Sequence, residues 1–421
     1  QPFRPSLARQ ILAGRLTMDL FFFFTMVLGF LLAKELLGNE WQAFLVTFLS
    51  FSSHYVLYYS DMIFNDIPAL FGFLVALLIV VKNQNVRMPT RTLVLFPLVP
   101  ISLGWQPYAV FGSWLLVDLF THVRRRLFRP AAILHLPSLI AVTSAVAFGL
   151  LIAGLQLLNE HRVTGVALQN MDTIRSALWR FGFGTSQSYT QYSHALSWTS
   201  FSLQQIFRVA SMVVPFAGIL SSVIRLKYVV AAGMLVLAAV AIRCLRSPRA
   251  RESLIGFIAE KRSILLVLFL SGLMWSVPMR HFVVFHDFQA IFYIGVPIAL
   301  FACLVKACGG VSKASVAVAA GLFALCVYVV NAHKSVDAPR LDAITAEFQD
   351  IRSHLPPGSK VFVDVDDSAL KIGFRSIDFY TAGVFLTGVK SAEYVVSANN
   401  DYPGTRLTAN SNVNLYAVNH R

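Results

Sequence analysis

The chain has 421 residues, 56% of them hydrophobic and 13% charged, with a formal net charge of +14. Soluble domains carry about a quarter charged residues. Half that share, with a mean hydropathy of +0.64, excludes an ordinary soluble domain and indicates a polytopic membrane protein. The positive charge does not point to nucleic acid, because the basic residues fall in short clusters between apolar runs rather than in a stripe with interleaved aromatics.

In chain order, eleven apolar windows are long enough, or nearly so, to cross a bilayer: 18–33, 41–57, 67–81, 93–103, 109–120, 131–158, 209–224, 229–242, 263–277, 288–305 and 315–330. The fold class expected is mainly α, a transmembrane bundle of about ten or eleven helices. Windows 93–103 and 109–120 are short for spans. Between them lies Gly104-Trp105-Gln106-Pro107-Tyr108, where Pro107 ends a helix and Trp105 and Tyr108 suit an interface. A polar break of this kind lines a cavity, or it is a tight turn with aromatic anchors.

Clusters of Lys and Arg between spans mark cytoplasmic loops. Candidates are Lys82, Arg87 and Arg91; Arg124, Arg125, Arg126 and Arg129; Arg243, Arg246, Arg249 and Arg251 with Lys261 and Arg262; and, more weakly, Lys306 and Lys313. Placing these inside puts 58–66, 104–108, 159–205, 279–287 and the C-terminal tail outside. If 209–224 and 229–242 were both full spans, the Arg243 cluster would move outside, so one of them is expected to be re-entrant or interfacial, leaving about ten crossings. The basic N-terminal stretch (Arg4, Arg9, Arg15) would lie outside as an amphipathic helix. The chain opens Gln1-Pro2-Phe3 with no initiator Met and no signal-peptide pattern, so a preceding segment is expected.

From about Ala332 the chain turns polar. A helical pattern over 341–355 is stopped by Pro356-Pro357-Gly358, and strands are expected at 360–364, 393–397 and 412–418. The domain reading is therefore 1–331 in the membrane and 332–421 as a small extracytoplasmic α/β cap. Asp364, Asp366 and Asp367 look like a solvated turn rather than a metal cluster. Cys244, Cys303, Cys308 and Cys326 sit in or beside apolar segments, which suggests small buried hydrophobes and neither a disulfide framework nor a thiolate metal site.

Three stretches can carry chemistry. The first is Tyr58-Tyr59-Ser60-Asp61-Met62-Ile63-Phe64-Asn65-Asp66-Ile67-Pro68, a short hinge with two acids between apolar windows. Carboxylates there are costly unless water, a metal or a polar ligand meets them. In a helix, five residues would set Asp61 and Asp66 about 140° apart, whereas a bent loop would let them converge. Asp66 also reads as a cap for the helix opening at Ile67-Pro68. The second stretch is Arg280-His281-Phe282-Val283-Val284-Phe285-His286-Asp287-Phe288-Gln289, which places cation, imidazoles, carboxylate and amide at the mouth of a span. A cation there suits a lipid phosphate; an interfacial belt with a helix cap is the plainer alternative. The Gly104–Tyr108 break is the third. No Gly-rich phosphate loop, nucleophile elbow or HExxH motif is present.

Taken together, these stretches resemble the GT-C membrane glycosyltransferases, in particular the bacterial relatives of dolichyl-phosphate-mannose–protein mannosyltransferases and of the lipid A aminoarabinose transferase. Tyr58-Tyr59-Ser60-Asp61 leading to Asn65-Asp66-Ile67-Pro68 is similar to an outer loop of that family. The short pair of windows around Gly104–Tyr108 is similar to the helices lining its lipid-donor cavity. Arg280 through Asp287-Phe288 is similar to the polar head of a late helix. Glu393-Tyr394-Val395-Val396 and Asn414-Leu415-Tyr416 are similar to its small α/β cap. The resemblance implies an inverting transfer of a sugar from a polyprenyl-phosphate donor to a lipid, glycan or protein acceptor, in the plasma (inner) membrane and on its extracytoplasmic face. It implies supporting acids at Asp66 and Asp61, with the main base in a loop ahead of Gln1. Donor-phosphate or substrate contacts would come from Arg280, His286, Asp287, Gln289, Trp105, Gln106 and Tyr108. No metal ligand set is assigned and no cofactor is identified, a divalent cation being the open candidate. Expected partners are the donor, the acceptor and membrane lipids, with no nucleic acid. A transporter or flippase of lipid-linked sugars is the main rival, and a non-catalytic membrane scaffold the third reading.

Overall fold

The computed structural model describes residues 7–60, 66–124, 133–164, 174, 178, 180, 197–335, 338–356, 358–364, 385–386, 392–398, 402–410 and 413–418. Asp61, most of 165–196, Asp366 and Asp367 lie outside them. The chain divides into two compact units, Gly14–Val330 and a smaller one of Gln1–Ala13 with Asn331–Arg421.

The first unit is a helical bundle. It opens within α1 (Leu7–Leu37), at Gly14, and continues with α2 (Glu40–Phe51), α3 (His54–Tyr59) and α4 (Asp66–Asn85). Next come the short α5 (Thr90–Leu95) and α6 (Leu98–Leu103), then α7 (Pro107–Arg124) and α8 (Pro137–Thr164). The second half holds α9 (Trp198–Val213), α10 (Ala217–Ser221), α11 (Leu226–Leu245) and α12 (Pro248–Ser276). It closes with α13 (Arg280–Phe285), a 3-10 turn (Asp287–Tyr293), α14 (Gly295–Ala307) and α15 (Lys313–Ser335).

Among the described residues, each of the eleven apolar windows falls mainly on helix. Among the described residues, five helices are long and apolar enough to cross a membrane: Ala13–Leu37, Asp66–Asn85, Pro137–Asn159, Leu226–Leu245 and Lys313–Ala332. The 3-10 turn and α14, bent by 41°, make a sixth if they are one span. The chain is a multi-pass membrane protein. Other windows are interrupted: 41–57 between α2 and α3, 93–103 between α5 and α6, and 209–224 between α9 and α10.

Helix starts and two of the breaks are tied by hydrogen bonds, as backbone without water must be. Asn39 accepts from the Gln42 amide at 3.1 Å to cap α2, and Ser53 caps α3 through the Val56 amide. The α9–α10 break then serves the α2–α3 break. The Phe216 amide donates to both Ser52 O (3.1 Å) and Ser52 Oγ (3.2 Å), while Ser53 Oγ donates to Met212 Sδ at 3.4 Å. Phe216 holds a positive φ of 59° to make this reach.

Close helix packing sets the centre of the unit. A Cβ on Gly295 would lie 2.4 Å from Leu268 O of α12, and one on Gly272 2.4 Å from the Tyr293 ring. Only glycine lets α12 press against the 3-10 turn and α14 at that distance. Trp114, Phe73, Phe111 and Phe292 fill the surrounding core with no more than 1% exposure.

The α1–α2 turn meets the C-terminal ends of α4 and α14, and α14 meets the first turns of α12, so the stretches carrying Lys82, Arg251 and Lys306 lie toward one end of the bundle. Lys34 Nζ meets Glu40 Oε1 at 2.6 Å, Asn85 Nδ2 donates to Glu35 Oε2, Lys306 Nζ donates to Leu37 O at 3.1 Å, and Ser253 Oγ donates to Lys306 O. Here one expectation fails. Cys326 is buried, but Cys244 and Cys303 are half-buried and Cys308 is exposed. Cys308 follows the last turn of α14, where the chain leaves the packed interior.

In the smaller unit, α16 (Ala338–Ser353) precedes a five-stranded sheet: β1 (Lys360–Asp364), β2 (Phe385–Leu386), β3 (Tyr394–Ser397), β4 (Thr405–Arg406) and β5 (Asn414–Ala417). The strand order is β2-β1-β3-β5-β4, with β1 parallel to β2 and β3 and with β5 antiparallel to its neighbours. Phe348 and Ile351 of α16 pack on Val361, Val396 and Leu415. Thr405–Arg406 and Phe385–Leu386 were not expected as strands, since two residues carry no alternation to read.

Candidate functional site

At the end of the bundle where α4 begins, polar side chains from four elements meet. The organising helix is α9, which is amphipathic in an inverted sense. Leu203 and Ile206 are exposed, whereas Gln205, Arg208 and Ser211 are buried at helical spacing. In a membrane chain an inward ionisable residue marks a site. Ser197 starts the helix by accepting from the Ser200 amide at 3.2 Å.

Arg208 is 1% exposed. Its Nη1 donates to Val283 O at 2.5 Å and its Nη2 to Asp287 Oδ1 at 2.7 Å, while its Nε has no hydrogen-bond partner among the described residues. Gln204 Nε2 donates to Val284 O at 2.9 Å. Both contacts satisfy carbonyls in the last turn of α13, where the helix dipole favours a cation. Tyr293 Oη donates to Gln205 Oε1 at 3.1 Å.

The 3-10 turn carries the next layer. Trp275 Nε1, at the end of α12, donates to Gln289 Oε1 at 2.8 Å. Because the indole is a donor only, it fixes the amide so that Gln289 Nε2 faces Asp66 Oδ1 at 3.4 Å. Gln289 is 1% exposed and Asp66 9%. Asp66 is the first residue of α4.

Aromatic rings form the rim. Tyr59 meets Phe288 edge-on at 6.0 Å and stacks parallel to Tyr55 at 6.4 Å. The His286 ring lies between Phe282 (4.4 Å) and Phe288 (5.0 Å). Arg280 sits over Trp198 at 4.4 Å and Arg180 over Phe282 at 4.9 Å, both at cation–π distance.

Beside this network lies a mainly apolar cavity of about 440 Å³, lined by Trp105, Tyr108, Gly149, Gln156, Met274 and Trp275 among others. Tyr108 Oη donates to Ala145 O at 3.2 Å, and a Cβ on Gly149 would fall 1.4 Å from that hydroxyl. Gln106 is buried, with its Oε1 lacking a hydrogen-bond partner among the described residues. Trp275 belongs to both places, with its ring on the cavity and its N–H in the polar network.

Of the expected residues, Asp66, Asp287 and Gln289 fall in the network, and Arg280 and His286 belong to its aromatic rim. Trp105 and Tyr108 line the cavity. Asp61 lies outside the described residues. Arg208, Gln205 and Trp275 were missed. Arg208 sits just before an apolar window and just after a stretch that looks interfacial. The three-residue spacing of Gln205, Arg208 and Ser211 was the available signal. Among the described residues, no group of three or more His, Cys, Asp or Glu is placed to hold a metal ion.

No protein-family model and no curated protein matches the chain. Among solved structures, the chain is similar to ArnT from Cupriavidus metallidurans bound to undecaprenyl phosphate, at 11% identity and a TM-score of 0.40, over 96% of this chain and 83% of that one.

Proposed function

We propose that this protein is a membrane glycosyltransferase that moves a sugar from a polyprenyl-phosphate donor to an acceptor on the extracytoplasmic face. The observation that carries the reading is the buried network Asp66–Gln289–Trp275 beside Arg208–Asp287, set against a mainly apolar cavity that shares Trp275. An amphiphilic donor needs that pairing: an apolar space for isoprenoid chain and a cationic, hydrogen-bonding place for its phosphate. The sequence resemblance to GT-C enzymes points the same way.

In this reading the transfer is an inverting displacement at the sugar carbon. Arg208 and Arg280 supply the positive charge that draws the departing phosphate. Asp66, oriented by Gln289, supports the acceptor hydroxyl. The aromatic rim excludes water and offers ring faces to the sugar. Lys- and Arg-rich loops at the opposite end lie in the cytoplasm, and the α/β unit lies outside. The carrier alternative fits less well, because a carrier places its polar site near the bilayer midplane, whereas these groups lie at helix ends.

The test is sugar transfer from polyprenyl-phosphate donors in membranes containing the full-length protein. Transfer is expected with the wild type and is expected to fall with Asp66→Ala and with Arg280→Ala. Unchanged transfer in both variants overturns the site. Wild-type uptake or flipping of the donor without transfer overturns the enzyme reading in favour of a carrier.

A further inference from the structure

Cys244 Sγ and Cys308 Sγ lie 3.5 Å apart, on elements separated by 64 positions in the chain. Cys244 is in the last turn of α11, and Cys308 follows the C-terminus of α14. Both thiols are free. The separation is van der Waals contact, so closing a disulfide needs an approach of roughly 1.5 Å. Rotation about the Cα–Cβ bonds is the motion that brings the two sulfurs together.

The surroundings hold the pair in register. Ser253 Oγ donates to Lys306 O at 3.2 Å, tying α12 to the last turn of α14. Lys306 Nζ donates to Leu37 O at 3.1 Å, tying the same turn to α1. Cys308 is exposed and open to a small oxidant, whereas Cys326 is buried with its Sγ 3.9 Å from Ser52 O. Of the four cysteines, these two are the pair whose sulfurs touch. Arg243, Arg246 and Lys306 flank them, the charge pattern of a cytoplasmic end. There thiols rest reduced, and a disulfide is a transient, oxidant-dependent state.

We propose that Cys244 and Cys308 form an oxidisable dithiol that closes to a reversible disulfide under a small hydroperoxide. The Cys308 thiolate attacks the peroxide O–O bond, forming a sulfenic acid and releasing water or alcohol. The Cys244 thiol then attacks the sulfenic sulfur and expels water. The two thiols lose two electrons and two protons in total, and the peroxide takes them up. A dithiol reductant reverses the bond by exchange through a mixed disulfide. The product staples the end of α11 to α14, the helix that follows the turn carrying Asp287 and Gln289.

The experiment uses the full-length protein in detergent micelles, treated with hydrogen peroxide, quenched with an alkylating agent and digested without reductant. Mass spectrometry is expected to find the Cys244 and Cys308 peptides joined, two hydrogens lighter than their sum, and separated again by dithiothreitol. Cys308→Ser is expected to lose the linked peptide and leave Cys244 alkylated. Sulfinic or sulfonic acid on Cys308 with no linked peptide overturns the proposal, as does full alkylation of both after peroxide. A linked peptide joining Cys308 of two molecules, separated from the first by its mass, also overturns it.

Discussion

Arg208 Nη2 lies 2.7 Å from Asp287 Oδ1, in a pair whose cation is 1% exposed and whose carboxylate side chain is 58% exposed. The two partners therefore respond unequally to removal. Asp287→Ala leaves a buried guanidinium with one acceptor, the Val283 carbonyl. That should cost about 2 kcal/mol, below the cost of breaking a fully buried pair because water reaches the carboxylate side. Arg208→Met leaves a carboxylate that water already solvates and should cost less. Thermal unfolding in detergent is expected to rank Asp287→Ala below Arg208→Met, and both below the wild type.

Sugar transfer should separate Gln289 from Trp275. Gln289→Leu removes the donor to Asp66 and the acceptor for Trp275 together. Trp275→Phe removes the N–H that orients Gln289 and trims the ring beside the cavity, but leaves the Gln289 donor to Asp66 in place. A transfer assay should show a loss of about tenfold or more for Gln289→Leu and a smaller loss for Trp275→Phe, since misorientation costs less than removal.

The cavity wall can be tested at Gly149. An added methyl would overlap the Tyr108 hydroxyl, at 1.4 Å. Gly149→Ala should displace Tyr108 into the cavity and raise KM for a polyprenyl-phosphate donor with little change in kcat. Gly149→Ala with Tyr108→Ala, which clears the space, should restore KM toward that of Tyr108→Ala alone.

Glycines also predict stability, because the helices differ in what faces them. Gly295→Ala drives a methyl onto the Leu268 backbone carbonyl at 2.4 Å, and backbone has little room to yield. A loss of about 1–3 kcal/mol is expected from such overpacking. A Cβ on Gly256, within α12, meets nothing within 4 Å. Gly256→Ala should therefore stabilise by about 0.5–1 kcal/mol through helix propensity. The two variants should shift the melting temperature in opposite directions.

Acid sensitivity follows from Glu40. Lys34, at 2.6 Å, holds its carboxyl below the usual glutamate value of 4.5 by hydrogen bond and charge. A depressed folded value means the contribution is present above the unfolded value and lost as pH falls through the folded one. Both groups are largely in water, so the contribution is small. Glu40→Gln should leave the melting temperature nearly unchanged at neutral pH and abolish whatever part of its acid dependence this pair supplies.

The apolar windows and the turn residues carried most of the architecture in one dimension. Hydrophobic runs such as 67–81 and 315–330 demand helix wherever water is absent, because each backbone amide must be satisfied within the segment. Pro356 and Gly358 ended α16 for equally local reasons, and Asp66, Asp287 and Gln289 stood out as polar groups at the mouths of apolar runs. What pairs with them was not legible. Arg208 looks like an interfacial residue until α9 turns its polar stripe inward against Val283 and Asp287. Cys244 and Cys308 look like unrelated apolar-flank cysteines until α11 and α14 end side by side. Composition and spacing act along the chain, so by themselves they determined a multi-pass helical protein with polar groups at its span ends. Side-chain neighbours are chosen by helix packing, down to Gly295, whose missing Cβ lets α14 pack against Leu268 O. Only the tertiary structure decided which of those groups meet.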